Sequence, residues 1–353
     1  MVTHRKYKLE NALSRLRSEI NSGKYKPGVF LPAERKLSEI LDISRGTLRT
    51  LLKELQKENL IRINPGKGAY VIDSNERKGL KRFLVNFPSI NRHNRASEAV
   101  GALLGICSEA SKIHAEATIS FGEGIKTSTQ IIEEYSSDDI QGVIFFERVN
   151  FNKDIAPLEK AGVPYVVINL EKDMPVVSSK MDFRAVGRQA GKYLINAGKK
   201  SFAILSGPQQ NFIYNEMLAG FRGALAEEEL FIDKSKIIEM ESNAEQARLK
   251  TIELLGKHRD IDAVFSMRDA RANGFFTACR ELNIKIPDDI SIVSYDNITW
   301  PSAKDAGLSS IKEQVEEMGE AAVDMLAKWV ETGEKPENRI FQGVLISRTS
   351  VTG

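Results

Sequence analysis

Three cations at helical spacing carry the clearest chemistry in this chain. Arg45, Arg49 and Lys53 stand four residues apart, so on a helix they project from one side. Leu48, Leu51, Leu52 and Leu55 form an apolar stripe on the other side, at i, i+3, i+4, i+7. In a major groove a guanidinium forks onto guanine O6 and N7, while an ammonium reaches a phosphate. Gly46 shares the cationic face and, lacking a side chain, lets backbone approach closely. A second polar set lies far downstream: Asp182, Arg268, Asp269, Asp296 and Asn297, with Trp300 close behind. Carboxylates and amides exchange hydrogen bonds with several sugar hydroxyls at once, and an indole offers a flat wall to a sugar face. Plainer readings stand beside these. The cationic face can be a solvated surface that docks a protein. The aspartates can cap helices or pin a hinge, and Trp300 can be core.

The elements that must position the cations are legible around them. Leu37, Ile40 and Leu41 recur as in a short helix, and Asp42-Ile43 is a turn. Ser44 opens the next helix, where its hydroxyl can cap free N–H groups. Residues 60–63 and 69–72 read as strands, joined by a turn at Asn64-Pro65-Gly66-Lys67-Gly68. That is a two-stranded wing with a lysine at its tip, suited to a minor groove or a line of phosphates. Residues 7–22 form an amphipathic first helix through Leu9, Ala12, Leu13, Leu16 and Ile20, and Gly23 stops it. The ordered set L-P-A-E-R, S-R-x-T-x-R and P-G-K-G-A-Y-V resembles the winged helix-turn-helix DNA-binding domain of the GntR family of bacterial repressors, over residues 6–73. The resemblance implies operator contacts by Arg35, Arg45, Arg49, Lys67 and Gly68, with Ser44, Gly46 and Lys53 on the same face. Thr47 falls where that family often places a hydroxyl or proline near DNA. Glu34 is expected to favour the start of its helix electrostatically rather than touch DNA.

Composition sets the domain plan. A length of 353 residues suggests two or three domains. The net charge of +2 hides an asymmetry: residues 1–82 hold 19 Lys and Arg against 9 Asp and Glu, and the remainder hold 31 against 39. A basic head on an acidic body fits a nucleic-acid module joined to a separate folded domain. The expected division is a winged head at 1–75, a polar linker at 76–82 and a body at 83–353. The two cysteines, Cys107 and Cys279, fall in helical patterns and read as buried free thiols. No Cys/His spacing suggests a metal, and no nucleophile, cofactor or zinc motif points to an enzyme. The sequence shows no apolar signal core and no membrane-length apolar run, so a cytoplasmic protein without membrane contact is expected.

From residue 83 short apolar runs alternate with helical patterns. Strands are expected at 83–87, 115–120, 143–146, 164–168, 201–205, 236–239, 263–266 and 291–295, with helices between them. That order predicts an α/β body of parallel sheets covered on both faces, in two Rossmann-like lobes flanking a cleft. Three stretches, KSFAILSGP with MLAGFRGALAEEEL, IDAVFSMRDARANGFFTACRELNIKIPDDISIVSYDN, and LSSIKEQVEEMGEAAVDML with the tail GVLISRTSV, resemble the LacI-family effector domain, a type I periplasmic-binding-protein-like fold. A GntR-type head on such a body resembles the arabinose-repressor group. The resemblance implies a dimeric repressor on a pseudo-palindromic operator, released by a sugar or sugar acid. It matches Asp182 and Asp269 to effector contacts and puts an aromatic near Trp300. Two departures stand out. Met217 replaces an arginine the family usually places in the L-x-G-F helix, and Arg268 replaces the usual asparagine before the cleft aspartate. Arg268 can therefore bind a ligand carboxylate or, more plainly, form a salt bridge with a nearby acid.

Overall fold

A computed structural model describes residues 2–26, 28–57, 60–64, 67–72, 79–87, 96–147, 149–170, 172, 174–297 and 307–352. The chain divides into two compact units, residues 1–80 and 81–353.

In the first unit, α1 (Val2–Asn21), α2 (Glu34–Ile40) and α3 (Arg45–Lys57) precede β1 (Ile61–Asn64) and β2 (Gly68–Val71). The expected stripe is the core: Leu48, Leu51, Leu52 and Leu55 are buried with Leu16, Ile20, Leu37, Leu41 and Ile61. β1 and β2 pair antiparallel, Ile61 opposite Val71. The segment before α2 adds a bridge to this two-stranded wing that the sequence does not announce. Phe30 bridges Tyr70, the Leu31 amide donates to the Ala69 carbonyl at 2.7 Å, and the Val71 amide donates to the Val29 carbonyl at 2.9 Å. The added segment covers an edge of β2 that would otherwise carry unpaired backbone groups. Gly68 sits at φ +104, a backbone state that side chains resist, which fixes a glycine after the lysine at the wing tip.

The second unit holds two six-stranded sheets. The first lobe contains β3 (Arg82–Phe87), α4 (Ala96–Lys112), β4 (Glu116–Phe121), α5 (Ser128–Ser136), β5 (Val143–Phe146), α6 (Ala156–Ala161), β6 (Tyr165–Ile168) and β7 (Ser178–Met181). The second contains α7 (Phe183–Asn196), β8 (Phe202–Ser206), α8 (Phe212–Ala226), β9 (Ile237–Glu239), α9 (Ala244–Lys257), β10 (Ala263–Ser266), α10 (Asp269–Glu281), β11 (Ser291–Asp296) and β12 (Ser309–Lys312). Then α11 (Val315–Thr332) returns to pack on α4 and on β5, β6 and β7 of the first lobe. β13 (Arg339–Phe341) joins the first sheet beside β7, and β14 (Val344–Ile346) joins the second beside β12. Sheet orders are β13-β7-β6-β5-β3-β4 and β14-β12-β11-β10-β8-β9, parallel except for β14.

Strands buried on both faces read as continuous apolar runs, which is why β5, β6, β8 and β10 are legible. β7 is Ser-Ser-Lys-Met, yet Ser178 and Ser179 are fully buried, and composition gives no hint of it. The chain crosses between lobes three times: at Asp182, at Glu313-Gln314 and at Gln342-Gly343. Gly343 has φ +77, and a Cβ there would lie 2.7 Å from Ile311 Cγ2, so only glycine fits the third crossing. Among the described residues no helix is long and apolar enough to cross a membrane.

Candidate functional site

Two sites emerge, one in each unit. In the first, the buried leucines fix the orientation of α3, so Arg45, Gly46, Arg49 and Lys53 are all exposed. Ser44 does cap the helix: its hydroxyl accepts from the Thr47 amide at 3.1 Å and lies 2.9 Å from the Thr47 hydroxyl. Both hydroxyls are therefore engaged in local structure. Arg49 is held by Glu34, Nε to Oε2 at 3.1 Å, and Arg35 lies 3.5 Å from Glu39. Such exposed pairs are weak, and a phosphate or guanine can displace them. Lys67 and Gly68 are exposed on the wing.

The second site lies where the parallel strands end. Asp296 closes β11 at φ +112, Asn297 follows at +57, Glu147 follows β5 at +60 and Asn169 follows β6 at +53. Non-glycine residues rarely accept this backbone state, and such strain gathers at binding sites. Arg268 precedes α10 and crosses the cleft. Its Nη1 donates to Glu98 Oε1 of the first lobe at 2.9 Å and to Asp296 Oδ1 of the second at 2.8 Å. All three side chains are under 10% exposed. The guanidinium also stands 5.8 Å from the centre of the Tyr295 ring. Ser310 donates to Asp269 Oδ1 at 2.9 Å, and the Asn169 amide donates to Glu313 at 2.8 Å. Carboxylate oxygens of Glu98, Asp296 and Glu313 lie within 4.8 Å of one another. Burial, opposed by Arg268 but reinforced by Asp269, Glu98 and Glu313, holds the Asp296 carboxyl well above the usual range. Burial and then the charge of Glu313 do the same to the Tyr295 phenol. Arg268 thus faces several acids that repel one another.

Comparison with known proteins divides along the same line. The model of the bacterial regulatory proteins, gntR family, matches residues 8–71, and the periplasmic binding protein-like domain matches residues 192–351. The chain is thus similar to a GntR-type head over residues 8–71 and to a periplasmic binding protein-like domain over residues 192–351. The HTH-type transcriptional repressor PurR of Vibrio parahaemolyticus is 32% identical over 156 residues, which are 44% of this chain and 46% of that protein. Catabolite control protein A of Staphylococcus epidermidis is 25% identical over 207 residues, 58% of this chain and 62% of that protein. These matches thus span about half to three-fifths of the relatives' length. Among solved structures, a regulatory protein of LacI family from Chloroflexus aggregans aligns with TM-score 0.65 at 24% identity, covering 76% of this chain and 98% of that one. A transcriptional regulator CelR–cellobiose complex aligns with TM-score 0.63 at 20% identity, covering 91% and 100%. At such identities the structures speak to the fold.

Within the periplasmic-binding-protein-like body, the expected residues separate. Arg268, Asp269 and Asp296 come together as one network. Of the two readings of Arg268, the geometry carries the salt bridge. Asp182 caps α7, accepting from the Ala185 amide at 2.8 Å, at the first crossing between lobes. Asn297 accepts from Arg348 at 2.8 Å, and its amide N–H donates to Ser310 at 3.1 Å. Trp300 lies outside the described residues. Met217 is fully buried, and a Cβ on Gly187 of α7 would lie 1.8 Å from its carbonyl oxygen, so this position packs two helices. Glu98, Glu147, Asn169 and Glu313 meet at this site, and their types and spacing did not single them out. A usable signal existed for some: Glu147 and Asn169 directly follow apolar strand runs, where ligands of parallel sheets bind. Cys107 corrects an expectation. It is exposed on α4, while Cys279 is buried as expected, its thiol pushed up to about 12 by burial.

Proposed function

We propose that the protein is a ligand-responsive transcriptional regulator, a repressor rather than an enzyme, that binds a pseudo-palindromic operator in the cytoplasm as a homodimer. One observation carries the reading: a buried leucine stripe forces Arg45, Arg49 and Lys53 outward beside a two-stranded wing. Arg45, Arg49 and Gly46 face base edges, with Ser44 and Thr47 setting the start of the helix. Arg35, Lys53, Lys67 and Gly68 follow the backbone. The match of the head to the gntR regulators and the repressor names of the body's relatives support this. Exposed apolar side chains on the first lobe support pairing: Val100 and Leu104 on α4, and Ile119 and Phe121 on edge strand β4. Two paired bodies present two heads to two half-sites.

The effector enters between the lobes. Arg268, Asp269, Asp296 and Asn297 form one wall, Asp182 sets the crossing, and Trp300 supplies the aromatic. A sugar or sugar derivative fits that donor set, and the cellobiose complex of a structural neighbour supports a carbohydrate. Such a ligand acts through its different affinity for two lobe arrangements. The test is selection of bound duplexes from a random pool, followed by release with candidate sugars. Enrichment of a two-fold-related motif, lost in Arg45→Ala, is expected. Recovery of no motif at moderate salt would overturn the reading.

A further inference from the structure

A second buried arginine stands at the rim of the cleft, and its circumstances differ from those of Arg268. Arg271, in the first turn of α10, is 1% exposed and heads the fully buried side chains by volume. Its Nη2 donates to the Met240 carbonyl at 3.1 Å and weakly to the Tyr214 hydroxyl at 3.4 Å. The guanidinium carbon stacks 5.0 Å from the centre of the Tyr214 ring. Neither Nε nor Nη1 has a hydrogen-bond partner, and among the described residues no carboxylate pairs with it. A guanidinium carries five N–H donors and cannot shed its proton to escape the interior. Buried charges in folded proteins are compensated, and buried donors are satisfied. Among the described residues Arg271 has no paired acid and two unsatisfied nitrogens, whereas Arg268, three residues earlier, is compensated twice.

The neighbours say where the missing partner belongs. Met240 follows β9, Tyr214 opens α8 and Arg271 opens α10, so the three meet at the strand ends of the second lobe, the rim that also carries Arg268 and Asp296. The start of α10 adds its own positive end, and Arg268 as its N-cap residue makes no side-chain cap hydrogen bond. Burial raises the Tyr214 phenol, yet the charges of Arg268 and Arg271 outweigh burial and hold it below its usual value. Tyr214 itself is only partly buried.

We infer that Arg271 is the docking point for an oxyanion, a carboxylate or phosphate, carried by the small molecule that enters the cleft. The effector is then an acidic sugar derivative, and the planar guanidinium supplies both charge and direction. This deepens the effector reading above and rests on it.

The test uses the full-length chain and two simple probes, inorganic phosphate and acetate, at constant ionic strength. Melting is followed by tryptophan emission, since Trp300 and Trp329 both belong to the body. Without added anion, Arg271→Met should melt at or above the wild-type temperature, because it removes an uncompensated charge. Phosphate or acetate should raise the wild-type transition and leave Arg271→Met and Arg271→Gln unmoved. The stronger probe tells a sugar phosphate from a sugar acid. The inference is overturned if both variants melt below wild type without anion, if wild type ignores both anions, or if all three proteins respond alike. Release of operator by neutral sugars is scored separately. A neutral inducer with no anion response sinks the Arg271 assignment and leaves the cleft reading intact, whereas no small-molecule effect on operator binding sinks the cleft reading.

Discussion

Arg268 ties the two lobes together, and removing it should reverse the effect of its neighbour. At 2.9 Å from Glu98 and 2.8 Å from Asp296, it is the cation of a buried, charge-assisted network. Arg268→Met leaves the carboxylates of Glu98, Asp296 and Glu313 within 4.8 Å of each other. Breaking a buried pair this way costs about 3–5 kcal/mol. Glu98→Gln keeps the shape and leaves Asp296 to balance Arg268, so the cost falls to about 1.5–3 kcal/mol, the worth of a charged hydrogen bond. In the Arg268→Met background the same Glu98→Gln change removes a like charge from beside Asp296, and it should stabilise. The deficit of Arg268→Met should also grow as pH rises, because the crowded acids must then ionise. Urea unfolding read by tryptophan emission reports the body alone, and a midpoint change at constant slope gives the energies. Equal cost of Glu98→Gln in both backgrounds would refute the network, as would a loss under about 1 kcal/mol for Arg268→Met.

Three further outcomes are expected. Arg45→Ala should weaken operator binding by about 1–3 kcal/mol if it forks onto a guanine, whereas Lys67→Ala should weaken all sequences alike and reduce the salt slope by about 0.9; anisotropy titrations across salt separate the two. The Asp296 carboxyl is raised in the folded protein, first by burial, so the stability it contributes below the ordinary carboxylate range is lost as pH rises through its raised value. Stability measured across pH should therefore shift in favour of Asp296→Asn, relative to wild type, as pH rises. Thiol titration near pH 8 should find Cys279 silent in the native protein and reactive after unfolding, since burial pushes its thiol up to about 12.

Much of the head could be read directly from the chain. Local periodicity decides which side of α3 is buried, and a capping serine marks its start, so Leu48 to Leu55 and Arg45 to Lys53 declare opposite faces. The bridge from Phe30 to the wing escaped because Val29-Phe30 is too short for any period, and it forms only when β2 offers an edge. In the body, apolar runs announced the central strands. β7, β13 and β14 are polar or brief, and long-range pairing alone makes them strands.

The cleft marks the sharper boundary. Residue types, the alternation of strand and helix, and the charge contrast between head and body are legible along the chain, because all of them depend on near neighbours. Tertiary structure decided which charges meet. Glu98 and Arg268 are 170 positions apart and share a hydrogen bond only because the chain crosses the lobes three times. The same folding neutralises Arg268 and leaves Arg271, three residues on, buried beside an aromatic ring with no paired acid among the described residues. Electrostatic energy depends on distance and burial in space, and neither quantity is written along a sequence.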